Sequence, residues 1–333
     1  MRVVITGGAG FLGSRLARRI LDRGTLVGAD GTQHVVHELV LFDMAPAAGF
    51  ADPRVKIVTG DVSDQETLRE LVGGDTQTVF HLAAIVSGQA EAEFDLGMRI
   101  NFDATRHLLE AMRSLPRPAR LVFSSSLAVF GAMGPDDVPD PVRDDTSLTP
   151  LSSYGAEKAM GELLVNDYSR KGFVDGRALR LPTVTVRPGK PNAAASSFAS
   201  GIIREPLNGV ETVVPVSPDT RMWILSPRAV IDNLIIGHDV DGRKFGRSRS
   251  VSVPGMQARI GDMADALRRL AGPEVASKIR WERDARIEKI VSTWPWNFDC
   301  AKGRSLGMKA DSDFDDIIRA YIDDEKPIAM ASR

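Results

Sequence analysis

The stretch Thr6–Gly13, TGGAGFLG, decides the fold of this chain. It follows the short apolar run Arg2–Ile5, which predicts a buried strand, and it leads into Gly13–Arg23, whose apolar residues recur with the period of an amphipathic helix. A glycine-rich turn between a first strand and a first helix is typical of a dinucleotide-binding unit, whereas the same glycines in isolation would indicate only a turn.

Three glycines of this stretch, Gly7, Gly10 and Gly13, carry the cofactor hypothesis. They permit a tight turn, close approach of the backbone to a pyrophosphate, and close packing of the helix on the strand. The free N–H groups and the dipole of the helix would then face the phosphates. The spacing is G-x-x-G-x-x-G rather than G-x-G-x-x-G.

The rest of the first half alternates apolar runs with segments of helical period. Further strands are predicted at Leu39–Phe42, Val55–Thr59, Thr78–Leu82, Arg120–Ser124 and Ala178–Leu181, and helices at Gln65–Val72, Asn101–Leu115 and Tyr154–Lys171. Thr25–His37 is expected to be a loop insertion. This alternation predicts an α/β fold, a doubly wound parallel sheet of the Rossmann type, with ligand sites at the carboxyl ends of the strands.

The character of the sequence changes after Pro182, where seven prolines between residues 182 and 227 interrupt the chain. Short helices are predicted at Ser197–Arg204, Arg228–Gly237, Gly261–Leu270 and Asp313–Ile322, and strand-like segments at Thr212–Val216 and Ser250–Val253. We predict a dinucleotide-binding domain over residues 1–182 and a smaller, mainly substrate-binding lobe over residues 183–333. Residues 225–250 could return to the first domain.

Composition excludes several classes of protein. Lys plus Arg number 42 against 44 Asp plus Glu, a formal charge of −2, so no overall field favours nucleic acid or a membrane as partner. The single cysteine, Cys300, cannot form an internal disulfide, which favours a reducing compartment. No metal site, leader segment or membrane span is expected, and we predict a cytoplasmic protein.

The ends of the next strands offer further cofactor contacts. Asp43 closes the second strand, where a carboxylate can accept both ribose hydroxyls and would repel a 2′-phosphate, so NAD is favoured over NADP. Arg15 is the residue that could instead neutralise such a phosphate. Asp61 and Val62 follow the third strand. His81 lies in an apolar run and is expected to be a hydrogen-bonded strand histidine rather than a catalyst.

A serine and a tyrosine–lysine pair predict the chemistry. Ser126 ends the fifth strand, and Tyr154 and Lys158, four residues apart, share one face of the following helix. An ammonium there is expected to lower the tyrosine pKa from about 10, so that Tyr154 serves as a base towards an alcohol and as an acid towards a ketone. Ser126 would hold the substrate oxygen. Alone, the pair would be an ordinary helix face; beside a dinucleotide turn it predicts a nicotinamide-dependent oxidoreductase.

Over nearly its whole length the sequence resembles the extended short-chain dehydrogenases/reductases. The resemblance rests on TGGAGFLG, GDV, HLAA, the Asn101 segment, SSS-x-x-VFG and YGAEK; Phe130 and Ala104 depart from the residues that the family often has there. It implies that the following residues line the cofactor: Phe11, Leu12, Asp43, Asp61, Val62, Leu82, Ala83, Val86, Asn101, Ser124, Tyr154 and Lys158. It further implies that Pro182, Thr183 and Val184 meet the nicotinamide.

Several segments narrow the resemblance to the D-erythronate dehydrogenase group within that family: AAIVSGQAEAEFDLGMRIN, the stretch around RLPTVTVRPGKPN, and DTRMWILSPRAV. This resemblance implies NAD-dependent oxidation of the C2 hydroxyl of a small sugar acid, D-erythronate, to 2-dehydro-D-erythronate. A carboxylate needs a cationic or multi-donor clamp. Arg221 is the leading candidate, because it aligns with the arginine that meets the diphosphate in nucleotide-sugar relatives. Ser87, Gln89 and Asn192 are further candidates.

Two other functions stay open at this point. A nucleotide-sugar 4-epimerase or dehydratase would use the same Ser126, Tyr154 and Lys158, but such relatives commonly carry an acidic pair where this chain reads Leu225–Arg228, LSPR. A non-catalytic NAD-sensing protein would typically lack the tyrosine or the lysine. The resemblance also implies a homodimer, in which two helices would pair through a second apolar face that includes Leu108, Met112, Leu163 and Leu164.

Overall fold

A parallel sheet of seven strands forms the centre of the protein. The computed structural model describes residues 1–131, 137, 140–189 and 194–325. The strands are β1 (Arg2–Thr6), β2 (Thr25–Val27), β3 (Gln33–Val35), β4 (Glu38–Asp43), β5 (Val55–Thr59), β6 (Thr76–His81), β7 (Arg120–Ser126), β8 (Val142–Arg143), β9 (Asp175–Leu181), β10 (Thr183–Val184), β11 (Thr212–Val214), β12 (Arg221–Leu225), β13 (Ser250–Ser252), β14 (Met256–Arg259), β15 (Ile279–Trp281) and β16 (Phe298–Asp299).

The helices surround this sheet and build the remaining part of the molecule. They are α1 (Phe11–Arg23), α2 (Gln65–Leu71), α3 (Ser87–Ala92), α4 (Phe94–Gly97), α5 (Ala104–Arg113), α6 (Ser153–Arg170), α7 (Ser197–Leu207), α8 (Pro227–Asp239), α9 (Ile260–Ala271), α10 (Pro273–Ala276), α11 (Ala285–Val291), α12 (Ala301–Ser305) and α13 (Phe314–Glu325). No helix of the described residues is long and apolar enough to cross a membrane.

The order of strands in the large sheet is β13-β9-β7-β6-β1-β4-β5, and every neighbouring pair is parallel. From β1 the chain moves outward through β4 to β5 and then crosses to β6 on the other side of β1. The strand order therefore reverses beside β1, and such a switch point opens a crevice at the carboxyl ends of the strands. The prediction of a doubly wound α/β fold is confirmed.

Successive side chains of the central strands point to opposite faces of the sheet, and a hydrophobic core covers each face. All five residues of β1 are buried. Val3 and Ile5 pack in one core with Leu16 of α1 and Leu234 of α8. Val4 points to the opposite face, where the core contains side chains of α2, α5 and α6, namely Leu68, Leu108 and Val165.

A separate core lies in the second half of the chain, where Ile202, Ile224, Leu267 and Ile318 pack together. It joins α7, α9 and α13 to a three-stranded sheet of order β10-β12-β14. Part of the second half belongs to the large sheet, because α8 covers one face and β13 pairs with β9. The domain boundary at residue 182 stays a prediction.

Two local structures differ from the prediction. The expected loop insertion Thr25–His37 contains an antiparallel hairpin, because Thr25 pairs with Val35 across a turn in which Gly31 has a positive φ of 79°. The expected helix Asn101–Leu115 begins earlier, as a π-helical turn over Met98–Asp103 that continues into α5. Other predicted elements are present with ends shifted by a few residues.

Candidate active site

The carboxyl ends of the central strands open into a cleft of about 1470 Å³, and the glycine-rich turn lies at its base. Gly7 has a φ of +74°, and a Cβ there would lie 2.8 Å from the backbone nitrogen of Ala83. A Cβ on Gly13 would overlap the carbonyl oxygen of Gly7. Both positions therefore exclude other residues, since the turn packs directly on the end of β6 and on the start of α1.

The amino end of α1 reaches the cleft through Gly10, the N-cap residue, and through Phe11, Leu12 and Gly13. Gly10 has no side chain that could cover the free N–H groups of the first turn. These groups and the helix dipole suit a pyrophosphate. The turn, with Gly7 also in the wall, therefore fits the phosphates of a dinucleotide.

Two acidic residues lie beside this turn at the ends of neighbouring strands. Asp43 accepts a hydrogen bond from the Ala9 N–H at 3.1 Å, which fixes the carboxylate against the turn. Asp61 accepts from the Ser63 N–H at 2.8 Å and from the Arg99 guanidinium at 3.1 Å. Asp43 and Asp61 both line the cleft, together with the buried Val62.

The segment after β6 forms another wall of the cleft with Leu82, Ala83, Val86 and Ser87. Asn101 lies behind this wall and does not line the cleft. Its side-chain oxygen accepts from the Ile85 N–H at 2.9 Å, and its amide donates to Glu157 at 2.6 Å. Asn101 thus ties the wall to α6, so its contact with a cofactor would be indirect.

The serines at the end of β7 have three different partners. Ser124 donates to the carbonyl oxygen of His81 at 3.0 Å, whereas Ser125 donates to Glu162 at 2.5 Å. Ser126 accepts from the Ala128 N–H at 3.1 Å and shares a hydrogen bond with Tyr154. Only Ser126 therefore presents its hydroxyl to the tyrosine.

Helix α6 carries Tyr154 to this hydroxyl because the helix begins in close contact with the turn after β7. The Ser152 hydroxyl caps the helix by accepting from the Gly155 N–H at 3.1 Å. A Cβ on Gly155 would overlap the carbonyl oxygen of Ala128. This approach sets Tyr154 beside Ser126, one helical turn before Lys158.

Lys158 is buried, with its ammonium 4.8 Å from the centre of the Phe123 ring and 5.7 Å from that of Tyr154. Burial lowers the pKa of Lys158 to about 8, although the neighbouring Glu157 opposes this shift. Burial also raises the pKa of Tyr154 to about 12, against the effects of Ser126 and Arg187. The expectation that Lys158 sets the tyrosine pKa below its usual value is therefore wrong for the protein without ligands, because loss of solvation outweighs the nearby charges.

His81 confirms the expectation of a hydrogen-bonded strand histidine. One ring nitrogen lies 2.6 Å from the Thr6 hydroxyl and the other 3.1 Å from the Thr105 hydroxyl. Burial, together with the charge of Lys158, lowers the pKa of His81 to about 3. A neutral imidazole with both ring nitrogens already hydrogen-bonded has no role as a general base here.

The segment Pro182–Val184 also lines the cleft. The second half of the chain adds an apolar wall, which includes the side chains of Phe198, Met222, Trp223, Ile287 and Trp294. Ser126, Tyr154 and Lys158 thus face a space bounded by both halves of the chain.

The four substrate candidates differ in their position relative to the cleft. Ser87 lines the cleft. Gln89 does not, and its amide donates to Glu93 at 3.0 Å. Arg221 is exposed and lies over the Trp296 ring at 4.6 Å, outside the cleft wall, so the leading candidate for the carboxylate clamp is not in position. Asn192 lies outside the described residues.

Sequence reasoning missed Arg187, which lines the cleft and interacts electrostatically with Tyr154. The signal that could have found it is a cationic residue shortly after β10, inside the stretch TVTVRPGKPN. It also missed Glu157, a fully buried carboxylate next to Lys158. An acidic residue in a helix ordinarily indicates a solvated face, so the sequence offered no signal for it.

Comparisons with known proteins agree with this geometry. Residues 3–223 match the model of the NAD dependent epimerase/dehydratase family. The chain is 55% identical to a D-erythronate dehydrogenase of Cupriavidus necator, over 97% of this chain and 98% of that one, and 43% identical to a D-erythronate dehydrogenase of Haemophilus influenzae, over 97% and 99%. A solved structure, the nucleoside-diphosphate-sugar epimerase from Agrobacterium tumefaciens, is 42% identical with a TM-score of 0.91, over 98% of this chain and 94% of that one.

Proposed function

Since the chain belongs to the NAD dependent epimerase/dehydratase family, we propose that it is an NAD-dependent dehydrogenase that oxidises the C2 hydroxyl of D-erythronate to give 2-dehydro-D-erythronate. The observation that carries the proposal is the meeting of Ser126, Tyr154 and Lys158 in the cleft that the glycine-rich turn also lines. The choice of a small sugar acid is supported by the two dehydrogenases that resemble the chain over nearly its full length.

In the proposed reaction Tyr154, as phenolate, takes the proton of the C2 hydroxyl while the carbon becomes a ketone. NAD held by the glycine-rich turn and Asp43 would supply the acceptor for the hydride that leaves C2, and the positive charge of its oxidised nicotinamide ring would favour the phenolate. Ser126 holds the substrate oxygen, because its hydroxyl already shares a hydrogen bond with Tyr154. Lys158 places a further positive charge 5.7 Å from the centre of the tyrosine ring. In the reverse direction Tyr154 returns the proton to the ketone oxygen.

The residues around the turn favour NAD over NADP. Asp43 is held against the turn by Ala9 and would repel a 2′-phosphate. Arg15, which could have balanced such a phosphate, is instead paired with Asp324, at 2.9 Å, and with Glu325. Its charge is thus already compensated by the last described helix, α13.

The alternative, a nucleotide-sugar 4-epimerase or dehydratase, is not favoured. Such a substrate carries a diphosphate, yet Arg221 lies over Trp296 outside the cleft and Arg228 is paired with Asp324 at 2.6 Å. Ser226, within the stretch Leu225–Arg228 where such relatives commonly carry an acidic pair, caps α8 by accepting from the Ala229 N–H. Both observations fit a small acid better than a sugar nucleotide.

The decisive experiment is to incubate the purified protein with NAD and a panel of sugar acids and to follow NADH absorbance. D-erythronate is expected to give the largest kcat/KM, and Tyr154→Phe should abolish the signal while retaining NAD binding. An epimerase returns the hydride to its own intermediate, so interconversion of sugar nucleotides with no NADH accumulation from any acid would overturn the proposal.

We further propose a homodimer, but through a smaller surface than the sequence indicated. Leu108 and Met112 are fully buried in the core of their own chain, and Leu164 is partly buried against it, so these residues do not form the expected second face. Leu163 on α6 is 64% exposed and is available for such a contact. Sedimentation of the wild type and of Leu163→Glu would test the dimer. The cytoplasmic location likewise stays a prediction.

A further inference from the structure

The backbone around Arg187 is hydrogen-bonded to α7, which fixes the point at which the side chain leaves the main chain. The Arg187 N–H donates to the Ser200 hydroxyl at 3.0 Å, and the Arg187 carbonyl accepts from the Arg204 guanidinium at 2.8 Å. Two residues earlier, the Thr185 N–H donates to the Leu225 carbonyl at 2.9 Å. Arg187 therefore enters the cleft from a segment held on two sides.

Within the described residues the guanidinium of Arg187 has no carboxylate partner, although it is half-buried. The other arginine of the cleft wall, Arg99, is paired with Asp61, and the adjacent Arg204 is paired with Glu205 at 2.6 Å. A half-buried guanidinium without an anion is unusual, because it has lost water without gaining a counter-ion.

We propose that Arg187 binds the carboxylate of the substrate, and that it thereby selects 2-hydroxy acids over neutral alcohols; this inference rests on the proposed function. The carboxyl carbon of such an acid is bonded directly to C2. When the C2 oxygen lies at Ser126 and Tyr154, the carboxylate must therefore lie within a few ångströms of them. Arg187 lies in that neighbourhood, because it lines the same cleft and interacts electrostatically with Tyr154. No described side chain neutralises its charge.

The surroundings of Arg187 favour an incoming anion. Burial and the nearby Arg204 charge lower the pKa of Arg187, so a carboxylate would relieve an unfavourable environment. A planar guanidinium can hold both carboxylate oxygens at once, which fixes the rotation of the acid about its C1–C2 bond. The amino end of α7, at Ser196 and Ser197, also lines the cleft and adds positive potential.

The test compares Arg187→Gln with the wild type on D-erythronate and on D-erythronamide, in which a neutral amide replaces the carboxylate. For the acid, KM is expected to rise about 100-fold, with a smaller change in kcat, because a charge-assisted bidentate contact is lost. For the amide, kcat/KM is expected to be the same in both proteins. Arg187→Lys should recover only part of the loss, since an ammonium cannot make the planar contact.

Two further variants separate the outcomes. Arg243→Gln removes a charge that is 91% exposed and paired with Asp241, and it is expected to leave KM unchanged. Arg221→Gln tests the clamp that the sequence indicated. An unchanged KM for the acid in Arg187→Gln, or an equal loss for acid and amide, overturns the proposal.

Calorimetric binding of glycolate, the smallest 2-hydroxy acid, to the protein–NADH complex separates this inference from the proposed function. If the wild type oxidises no acid but binds glycolate, and Arg187→Gln loses that binding, the proposed function fails and the carboxylate site stands. If the wild type binds no glycolate, the carboxylate site fails as well. Melting temperatures of all variants identify any that are merely unfolded.

Discussion

The Lys158 ammonium lies 5.7 Å from the centre of the Tyr154 ring, one turn further along α6, and both side chains have lost most of their solvent. Burial acts on the two groups in opposite senses: it raises the pKa of the phenol to about 12 and lowers that of the ammonium to about 8. Burial thus favours the neutral form of each group, whereas the proposed reaction needs the tyrosine as the charged phenolate.

The first prediction concerns the pH dependence of oxidation. In the proposed reaction the Tyr154 phenolate accepts the substrate proton, so kcat/KM for oxidation should rise with pH wherever the pH lies below the tyrosine pKa. With that pKa raised to about 12 before ligands bind, we expect the rise to continue through the range of about pH 6 to 9. Initial rates of NADH formation in constant-ionic-strength buffers would show it. A flat profile over that range would mean that Tyr154 is not the base.

Ser126 gives the second prediction. Its hydrogen bond lowers the pKa of Tyr154, so Ser126→Ala should move the rising limb of the oxidation profile to higher pH and reduce kcat by about 10- to 100-fold. Ser126→Thr keeps the hydroxyl and should retain the wild-type profile. Because the range of about pH 6 to 9 lies well below the tyrosine pKa, the loss in Ser126→Ala should be of similar size throughout that range. An unchanged rate in Ser126→Ala would mean that the serine neither holds the substrate oxygen nor affects the base.

Lys158 gives a prediction about stability. Its pKa falls from 10.5 to about 8 on folding, so the folded protein holds this proton less tightly than the unfolded chain does. Since the unfolded chain binds more protons between those two values, stability rises with pH through that window, and below it the charge costs the fold on the order of 3 kcal/mol. Lys158→Met should therefore unfold at a higher temperature than the wild type at pH 7, while losing activity.

The stability gain of Lys158→Met should shrink as the pH approaches about 10, where the wild-type lysine is neutral in the fold. Lys171→Met is a matched control, because this lysine is exposed at the end of the same helix and should change stability little. A Lys158→Met protein that is less stable than the wild type at pH 7 would show that the charge stabilises the site.

The glycine-rich turn gives the fourth prediction. A Cβ on Gly13 would overlap the Gly7 carbonyl, so Gly13→Ala should lower the free energy of unfolding by about 1–3 kcal/mol and weaken NAD binding. Gly74→Ala is the control, since a Cβ at Gly74 meets no atom within 4 Å. Chemical denaturation and NAD titration measure both effects. Equal behaviour of the two variants would refute the role of close packing at Gly13.

Much of the fold follows from local sequence, because the turn Thr6–Gly13 and the alternation of apolar runs specify a doubly wound sheet by themselves. The trio that we propose for catalysis is predictable for the same reason: Ser126 ends a strand, and Tyr154 and Lys158 share a helix face. The end of a strand and the face of a helix are both visible in local sequence, and the structure brings the three side chains together.

What the sequence could not predict depends on solvation and on the paths of loops. The direction of the Tyr154 pKa shift follows from burial, and no motif records burial. Which of Arg187 and Arg221 lines the cleft depends on the paths of the segment after β10 and of β12. Alignment favoured Arg221, whose guanidinium lies over Trp296, whereas Arg187 is brought in by its bonds to α7.

The last prediction concerns the choice of cofactor at Asp43. We expect the wild type to use NAD in preference to NADP, and Asp43→Ala to lower kcat/KM for NAD about tenfold while raising it for NADP, because the variant loses ribose hydrogen bonds and also the repulsion of a 2′-phosphate. Asp22→Ala on α1 makes the same change in net charge at an exposed position and should leave the ratio unaltered. Because Asp43 also accepts from the Ala9 N–H, melting temperatures must accompany the kinetics. A wild-type preference for NADP, or an unchanged ratio in Asp43→Ala, would contradict the assignment of this carboxylate to the adenosine ribose.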